Sequence, residues 1–392
     1  MGQKFSTEIK EADQKRIRTL DLSNRGLLAI DANAPECSHL LELYLTNNKI
    51  SSIPSIVIRG YKALRIVDLS HNSLKELTNS ISQLKDLKYL NCIGNNIERL
   101  PDEICECTGL TELNIDDNEL IGLPDEIGKL TSLKKLHAHS NIVQVIPDSI
   151  GLLTNLSEID LGNNKIVKLN DKISGCSNLR FMDFSDNLIE DLPGNGISTL
   201  SKVVTLDLSG NRLTDLPQEL SLLTDLIELR LCNNKFTFFP PVLTTLQSLI
   251  VLDLSSNQLK DVPMQIAALI SLKSLSLASN SIQNIPKEMS VMTHLEQLNL
   301  QENPLVSALQ AVFQFNENAK IIEAVFMVLS FANPSPGYVE FLENLEKIRE
   351  NYKIKMKEKE ENERMLFEQT ADDEDDGYDE DDDGDGDDGD DD

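Results

Sequence analysis

The chain has 392 residues, six cysteines, no tryptophan and a formal net charge of −29, from 65 acidic and 36 basic residues. That balance argues against binding nucleic acid, where Lys and Arg must neutralise phosphates, and favours solubility or basic partners. Sixteen of the acidic residues fall within 372–392, which has no Lys or Arg, so a moderately acidic body is joined to a strongly acidic end.

In chain order the first element is a short N-terminal segment, 1–16. It opens Met1-Gly2-Gln3-Lys4-Phe5-Ser6. This fits the Met-Gly-x-x-x-Ser/Thr pattern of N-myristoylation and makes Gly2 the candidate for acylation. A single acyl chain holds a membrane only marginally and needs a second signal. Lys10, Lys15, Arg16 and Arg18 supply positive charge, diluted by Glu8, Glu11 and Asp13. The expectation is reversible membrane association without a permanent anchor. No secretory signal opens the chain, and the most apolar stretch, Ile321–Ala332, is short for a membrane span and contains Glu323.

From 17 to 305 the chain repeats itself. Leu110-Thr-Glu-Leu113-Asn-Ile115-Asp-Asp-Asn118-Glu-Leu120 reads L-x-x-L-x-L-x-x-N-x-L, and its Asn recurs at 48, 72, 95, 118, 141, 164, 187, 211, 234, 257, 280 and 303. The steps are 23 residues except for two of 24. An opening copy, Ile17–Leu27, carries Arg25 at the Asn position, as suits a capping unit with no preceding neighbour; the total is thirteen repeats. Alternation around L-x-L predicts a short strand with one buried face. Stacked strands then form a parallel concave sheet, and each Asn amide is placed to satisfy backbone groups of adjacent turns, a framework role. Between strands most repeats read L-P-x-x-I-x-x-L-x-x-L, and nine of the fourteen prolines occupy that one slot. Proline there starts a short convex helix or turn whose apolar residues, every third position, face the core. The fold class expected is an α/β horseshoe solenoid. Cys37, Cys107 and Cys176 stand where other repeats have Leu84, Leu130 or Leu153, so they read as core residues in a reducing, cytoplasmic protein.

The 23-residue spacing and the proline linker resemble the Ras-scaffold group of intracellular leucine-rich-repeat proteins, over about Ile17–Leu305. The resemblance implies a non-enzymatic scaffold or signalling regulator whose repeat surface engages a Ras-like GTPase, with a phosphatase catalytic subunit as a further partner in some members. The chain departs from the group in having no basic N-terminal arm with a basic-Val-x-Phe motif; the nearest string, Lys235-Phe-Thr-Phe238, lies inside a repeat. A second resemblance, repeats followed by an acidic run, is to the acidic nuclear phosphoproteins. It implies binding of basic partners such as histones, or phosphatase inhibition.

The side chains between the buried leucines should line the concavity. A central row runs through Asp160, Asp183 and Asp207, a like-charge run that is either the ordinary Leu-Asp-Leu-Ser strand or a surface answered by a basic partner. Arg230, between Asp207 and Asp253, reads as an internal partner. Tyr44, Tyr89 and Phe181 are candidate anchors or incidental surface aromatics. Lys135, His137 and His139 are basic candidates beside them. The two histidines on one strand face suggest a pH-sensitive patch; with Asp116 and Asp160 they suggest a metal site only weakly. No metal, cofactor or catalytic constellation is expected, since no nucleophile–base pair, Gly-rich phosphate loop or H-E-x-x-H occurs.

Beyond 305 the repeat ends. Residues 306–333 read as an apolar helical cap, 334–370 as a charged helix after Pro334-Ser-Pro336-Gly337, and 371–392 as a disordered Asp/Gly tail. The spacing Asp379-x-Asp381-x-Asp383-Gly384 mimics the start of a calcium loop, but it is cheap in an Asp run. The chain is expected to be a monomer.

Overall fold

A computed structural model describes residues 2–305, except 32, 34, 287, 290, 291 and 293. The expected cap, charged helix and acidic tail, 306–392, lie outside the described residues.

Thirteen three-residue strands, from Thr19–Asp21 to Gln297–Asn299, form one parallel sheet in strict sequence order. The register advances one repeat at a time, as in Glu112↔Lys135, Leu113↔Leu136 and Asn114↔His137. In every strand the middle residue is buried and its neighbours face the concavity. Each repeat contributes a similar apolar set to one continuous core; in the fifth repeat these are Leu110, Leu113, Ile115, Leu120, Leu123, Ile127 and Leu130, all buried.

The convex side explains the every-third-residue spacing. The Ile104 amide donates to the Pro101 carbonyl, Cys107 to Ile104 and Leu110 to Cys107, each at 2.9–3.0 Å. These are i→i+3 bonds with about three residues per turn, so apolar residues at every third position eclipse on one face. A helix of 3.6 residues per turn would rotate them off it. Proline precedes most of these turns in an extended conformation, as Pro101, Pro147, Pro217 and Pro263 do. Thr78 and Asn170 stand in that slot in two repeats, and there the side chain caps the turn, accepting from Ser80 and Lys172 amides.

The two 24-residue steps have a structural counterpart. They contain the α-helical turns Ser55–Gly60 and Gly194–Ile197, where eight other repeats carry 3₁₀ turns among the described residues. In the second, the Ile197 amide donates four residues back to the Pro193 carbonyl. The extra residue is absorbed on the convex side, and strand register is kept, Glu42↔Ile66 and Phe181↔Thr205 pairing across the two steps.

Each buried Asn does what the periodicity predicts. Asn164, 1% exposed, donates through Nδ2 to the carbonyls of Ala138, Leu161 and Gly162, while its Oδ1 accepts the Val143 amide at 2.9 Å. The residue before each ladder Asn has positive φ, from Asn47 through Glu302, and only Gly94 and Gly210 are glycine there. Among the described residues no buried side-chain nitrogen or oxygen lacks a partner.

The N-terminal segment, for which the sequence pattern announces no element, is a helix, α1, Gly2–Gln14. Phe5, Ile9 and Ala12, at helical spacing, are buried over the open side of the first repeat, with Phe5 beside Leu22 and Leu27. Ser6 Oγ donates to Asp31 at 2.6 Å, and Arg25 approaches Glu8. Asn48 makes to the first repeat the bond that each ladder Asn makes to its predecessor, its Oδ1 accepting the Leu27 amide, and it accepts the Arg25 amide as well. All six cysteines are free.

Candidate functional site on the concave face

Two rows of side chains emerge from the sheet into the concavity. One contains Glu112, Lys135, Glu158, Phe181 and Thr205 on successive strands; the other contains Asn114, His137, Asp160, Asp183 and Asp207. Strands are about 4.8 Å apart, so successive members of a row are neighbours.

The densest chemistry sits in the middle of the sheet. His137 Nε2 lies 3.0 Å from Glu158 Oε1, and Lys135 Nζ lies 3.8 Å from Glu158 Oε2. The bond from Glu158 raises the His137 imidazole above its ordinary value, with help from the charges of Asp116 and Asp160; burial opposes it. The same contact lowers Glu158. One turn on, His139 Nδ1 is 3.2 Å from Asp160 Oδ1, and the His139 backbone amide donates to Asp116 at 2.7 Å. Burial raises the Asp116 carboxyl, partly offset by that amide. Beside this cluster Phe181 is 45% exposed, a large apolar ring facing the solvent-filled concavity.

These histidines are partnered by carboxylates one strand away. Among the described residues, the cluster does not bring three ligand atoms together at metal-holding distances. Glu158 was not singled out from sequence, yet it connects His137 and Lys135. The signal for it was its place in the row between Lys135 and Phe181.

The aspartate run has a local explanation. Asp183 accepts from both the amide and hydroxyl of Ser185, and Asp207 accepts likewise from Ser209; Asp160 accepts from the Gly162 amide. In Leu-Asp-Leu-Ser the carboxylate therefore closes the turn that follows its strand. Asp207 is only 8% exposed, and Arg230 reaches its second oxygen at 3.5 Å while also binding Glu228. The expected internal role of Arg230 is observed, and Asp207 presents least of the three aspartates to solvent. Tyr44 is half-buried, donating to Glu42 at 3.3 Å. Tyr89 is also half-buried; burial, with Asp68 and Glu112 nearby, pushes its phenol up to about 12. Tyr44 and Tyr89 lie several strands from Phe181, so the three aromatics do not form one cluster.

Among the described residues no helix is long and apolar enough to cross a membrane. A profile described as a leucine-rich repeat region matches residues 39–171, and a second, leucine rich repeat, matches 154–213, 201–259 and 247–305. The chain is 39% identical to plant intracellular Ras-group-related LRR protein 8 of Arabidopsis thaliana over 83 residues, 21% of this chain and 22% of that protein, which supports the Ras-group reading. Across the curated relatives the aligned stretch spans 3–22% of their length. The solved leucine-rich-repeat protein of Leptospira interrogans is 32% identical, covering 77% of this chain and 78% of that one, with a TM-score of 0.71. The ectodomain of the Arabidopsis thaliana membrane receptor kinase GASSHO1/SCHENGEN3, solved in complex with Casparian strip integrity factor 2, is 27% identical over 74% of this chain and 44% of that one, with a TM-score of 0.51. Repeats that match from residue 39 to residue 305, and a solved relative that aligns over most of both chains, make this chain a member of the leucine-rich-repeat family.

Proposed function

We propose that the chain is a cytoplasmic, non-enzymatic scaffold or signalling regulator whose concave face engages a Ras-like GTPase or a comparable globular partner. The observation that carries this reading is Phe181 standing exposed beside the Lys135, His137, His139, Glu158 and Asp160 cluster on a rigid ladder of strands. A bare aromatic ring flanked by paired charges is the composition of an interaction hot spot, with a desolvating anchor and a polar rim. The similarity to a Ras-group-related protein favours a GTPase as occupant. Asp160 and Asp183 each keep one carboxylate oxygen beyond the turn bond, and together with Tyr44 and Tyr89 they extend the surface along the same face. Asp207 contributes through its ion pair with Arg230.

The test is capture by small GTPases loaded with either nucleotide. Nucleotide-dependent capture by the full chain, lost on Phe181→Ala with Tyr89→Ala, supports the reading. Capture that is indifferent to both changes removes the concave anchor. Deleting 371–392 leaves capture intact; loss of histone binding on that deletion, with no GTPase capture, would shift the reading to the acidic tail. Gly2 is the acylation candidate. Mass spectrometry of the intact N-terminus decides this: a free Gly2 or a retained Met1 removes the membrane component.

A further inference from the structure

Three cysteines occupy the same place in their repeats, but their surroundings differ. Cys107 donates its thiol to the Ile81 carbonyl at 3.3 Å, and Cys176 donates to Ile150 at 3.1 Å. Both are packing residues with a weak hydrogen bond. The Cys37 thiol instead lies 3.8 Å from His39 Nε2. The other ring nitrogen, Nδ1, is 3.6 Å from Asp13 Oδ1 at the end of α1. Two residues after Cys107 and Cys176 stand Gly109 and Asn178, so only the Cys37 repeat supplies an imidazole.

Thiol, imidazole and carboxylate converge there, with one ligand atom from each within 4.8 Å of the others. The backbone holds all three in place. The Leu40 amide donates to the Cys37 carbonyl and the Cys37 amide to Gly60, which fixes the Cys37-Ser38-His39 turn. The final turn of α1 is closed by Lys15 donating to Glu11 and Ile17 to Ala12, which fixes Asp13. Cys37 is fully buried, whereas His39 is half-buried and Asp13 exposed, so a cation would enter from the solvent side and meet the sulfur at the bottom.

We propose that Asp13, Cys37 and His39 bind a borderline-soft divalent cation of the Zn2+ class, clasping the end of α1 to the convex segment that closes the first repeat. Mixed sulfur, nitrogen and oxygen donors select such an ion over Mg2+ or Ca2+, which take oxygen ligands. Bonds of about 2.0–2.3 Å place tetrahedral ligand atoms about 3.3–3.8 Å apart. The cluster therefore needs a closure of about 1 Å, within reach of the exposed Asp13 side chain. Solvent completes the coordination on the open side. Binding displaces the Cys37 thiol proton to water, and the imidazole ligates through one nitrogen as the neutral ring. No reaction is assigned to the site: the buried sulfur leaves no room for a substrate.

The sequence reading placed Cys37 in the core and assigned no metal ligand. Cys-x-His is two ligands, and the third arrives from a helix that the periodicity did not announce.

The probe is Co2+ added to the reduced full chain, because the Asp-rich end offers only oxygen ligands and so would give no sulfur-to-cobalt absorption. A saturable thiolate charge-transfer band is expected, bleached by Zn2+ and absent in Cys37→Ser. Asp13→Asn and His39→Gln, altering side chains that carry little of the core, should weaken Co2+ binding at least tenfold while keeping the far-UV spectrum. Zn2+ should also raise the thermal midpoint of the wild-type chain and leave that of His39→Gln unmoved. Absence of the band in the wild-type chain overturns the proposal, and so does a band that persists unchanged in Cys37→Ser or in His39→Gln.

Discussion

Leu136 and its neighbours Lys135 and His137 share one three-residue strand, yet they belong to regions under opposite constraints. Leu136 is fully buried among the equivalent residues Leu113 and Ile159 of the adjoining repeats, and the Asn141 amide behind it satisfies backbone of two turns. This inner row barely changes from repeat to repeat, because every copy must fill the same space and answer the same carbonyls. Lys135 and His137 face the concavity, where water accepts almost any side chain, and their row runs through acid, base, aromatic and amide. The inner row therefore encodes the architecture. Whatever is particular to this protein is written in the outer one.

That contrast can be broken at its strongest point first. Asn164→Ala removes the acceptor of Val143 and the donor to three carbonyls in a site that water does not enter, and should cost about 2–4 kcal/mol. Urea denaturation followed by circular dichroism reads this; a loss under about 0.5 kcal/mol would mean the ladder is decorative. Asp183 tests where the two regions meet. Asp183→Ala loses the turn bonds to Ser185 and should cost about 1 kcal/mol, whereas Asp183→Asn keeps an acceptor, sheds a like charge and should stay within about 0.5 kcal/mol of wild type. Equal losses in both variants would make the charge, not the turn, the stabilising feature.

A smaller effect is expected from the outer row's own pairing. The His137 value is raised above 6.5, so its contribution is fully present below about 6.5 and fades as pH rises through the raised value. Glu158 is lowered below 4.5, so its contribution holds above about 4.5 and is lost as pH falls through the lowered value. His137→Gln should thus be less stable than wild type by under about 1 kcal/mol between those limits, and the two should converge in alkali. Denaturation midpoints measured across pH check this, and a deficit that grows above neutrality would contradict the assigned pairing. Least of all should Phe181→Ala disturb the fold. With its ring 45% exposed the change in stability should stay under about 0.5 kcal/mol, while capture of the proposed partner is weakened. A large destabilisation would turn Phe181 into a core residue and withdraw it from the site.

Much of this molecule was legible before folding, and for a definite reason. In a solenoid the spacing of Leu113, Ile115, Asn118 and Ile127 reports contacts with the neighbouring copy, so sequence period and spatial period coincide. Thirteen strands, their order and register, the framework role of the asparagines and the inward cysteines all follow from that coincidence. Even the convex turns were implied by apolar residues at every third place. What the period could not carry was anything that happens once. The helix α1 occurs a single time and closes an edge that no repeat can close for itself; its pattern of Phe5, Ile9 and Ala12 is too short to stand out. The bond between His137 and Glu158, the burial of Asp207 against Arg230 and the meeting of Asp13 with Cys37 and His39 depend on rotamers and on chain segments 21 to 26 residues apart. The sequence alone determined where each side chain would be placed along the sheet. Only the tertiary structure decided which of those side chains find each other and which remain free to meet something else.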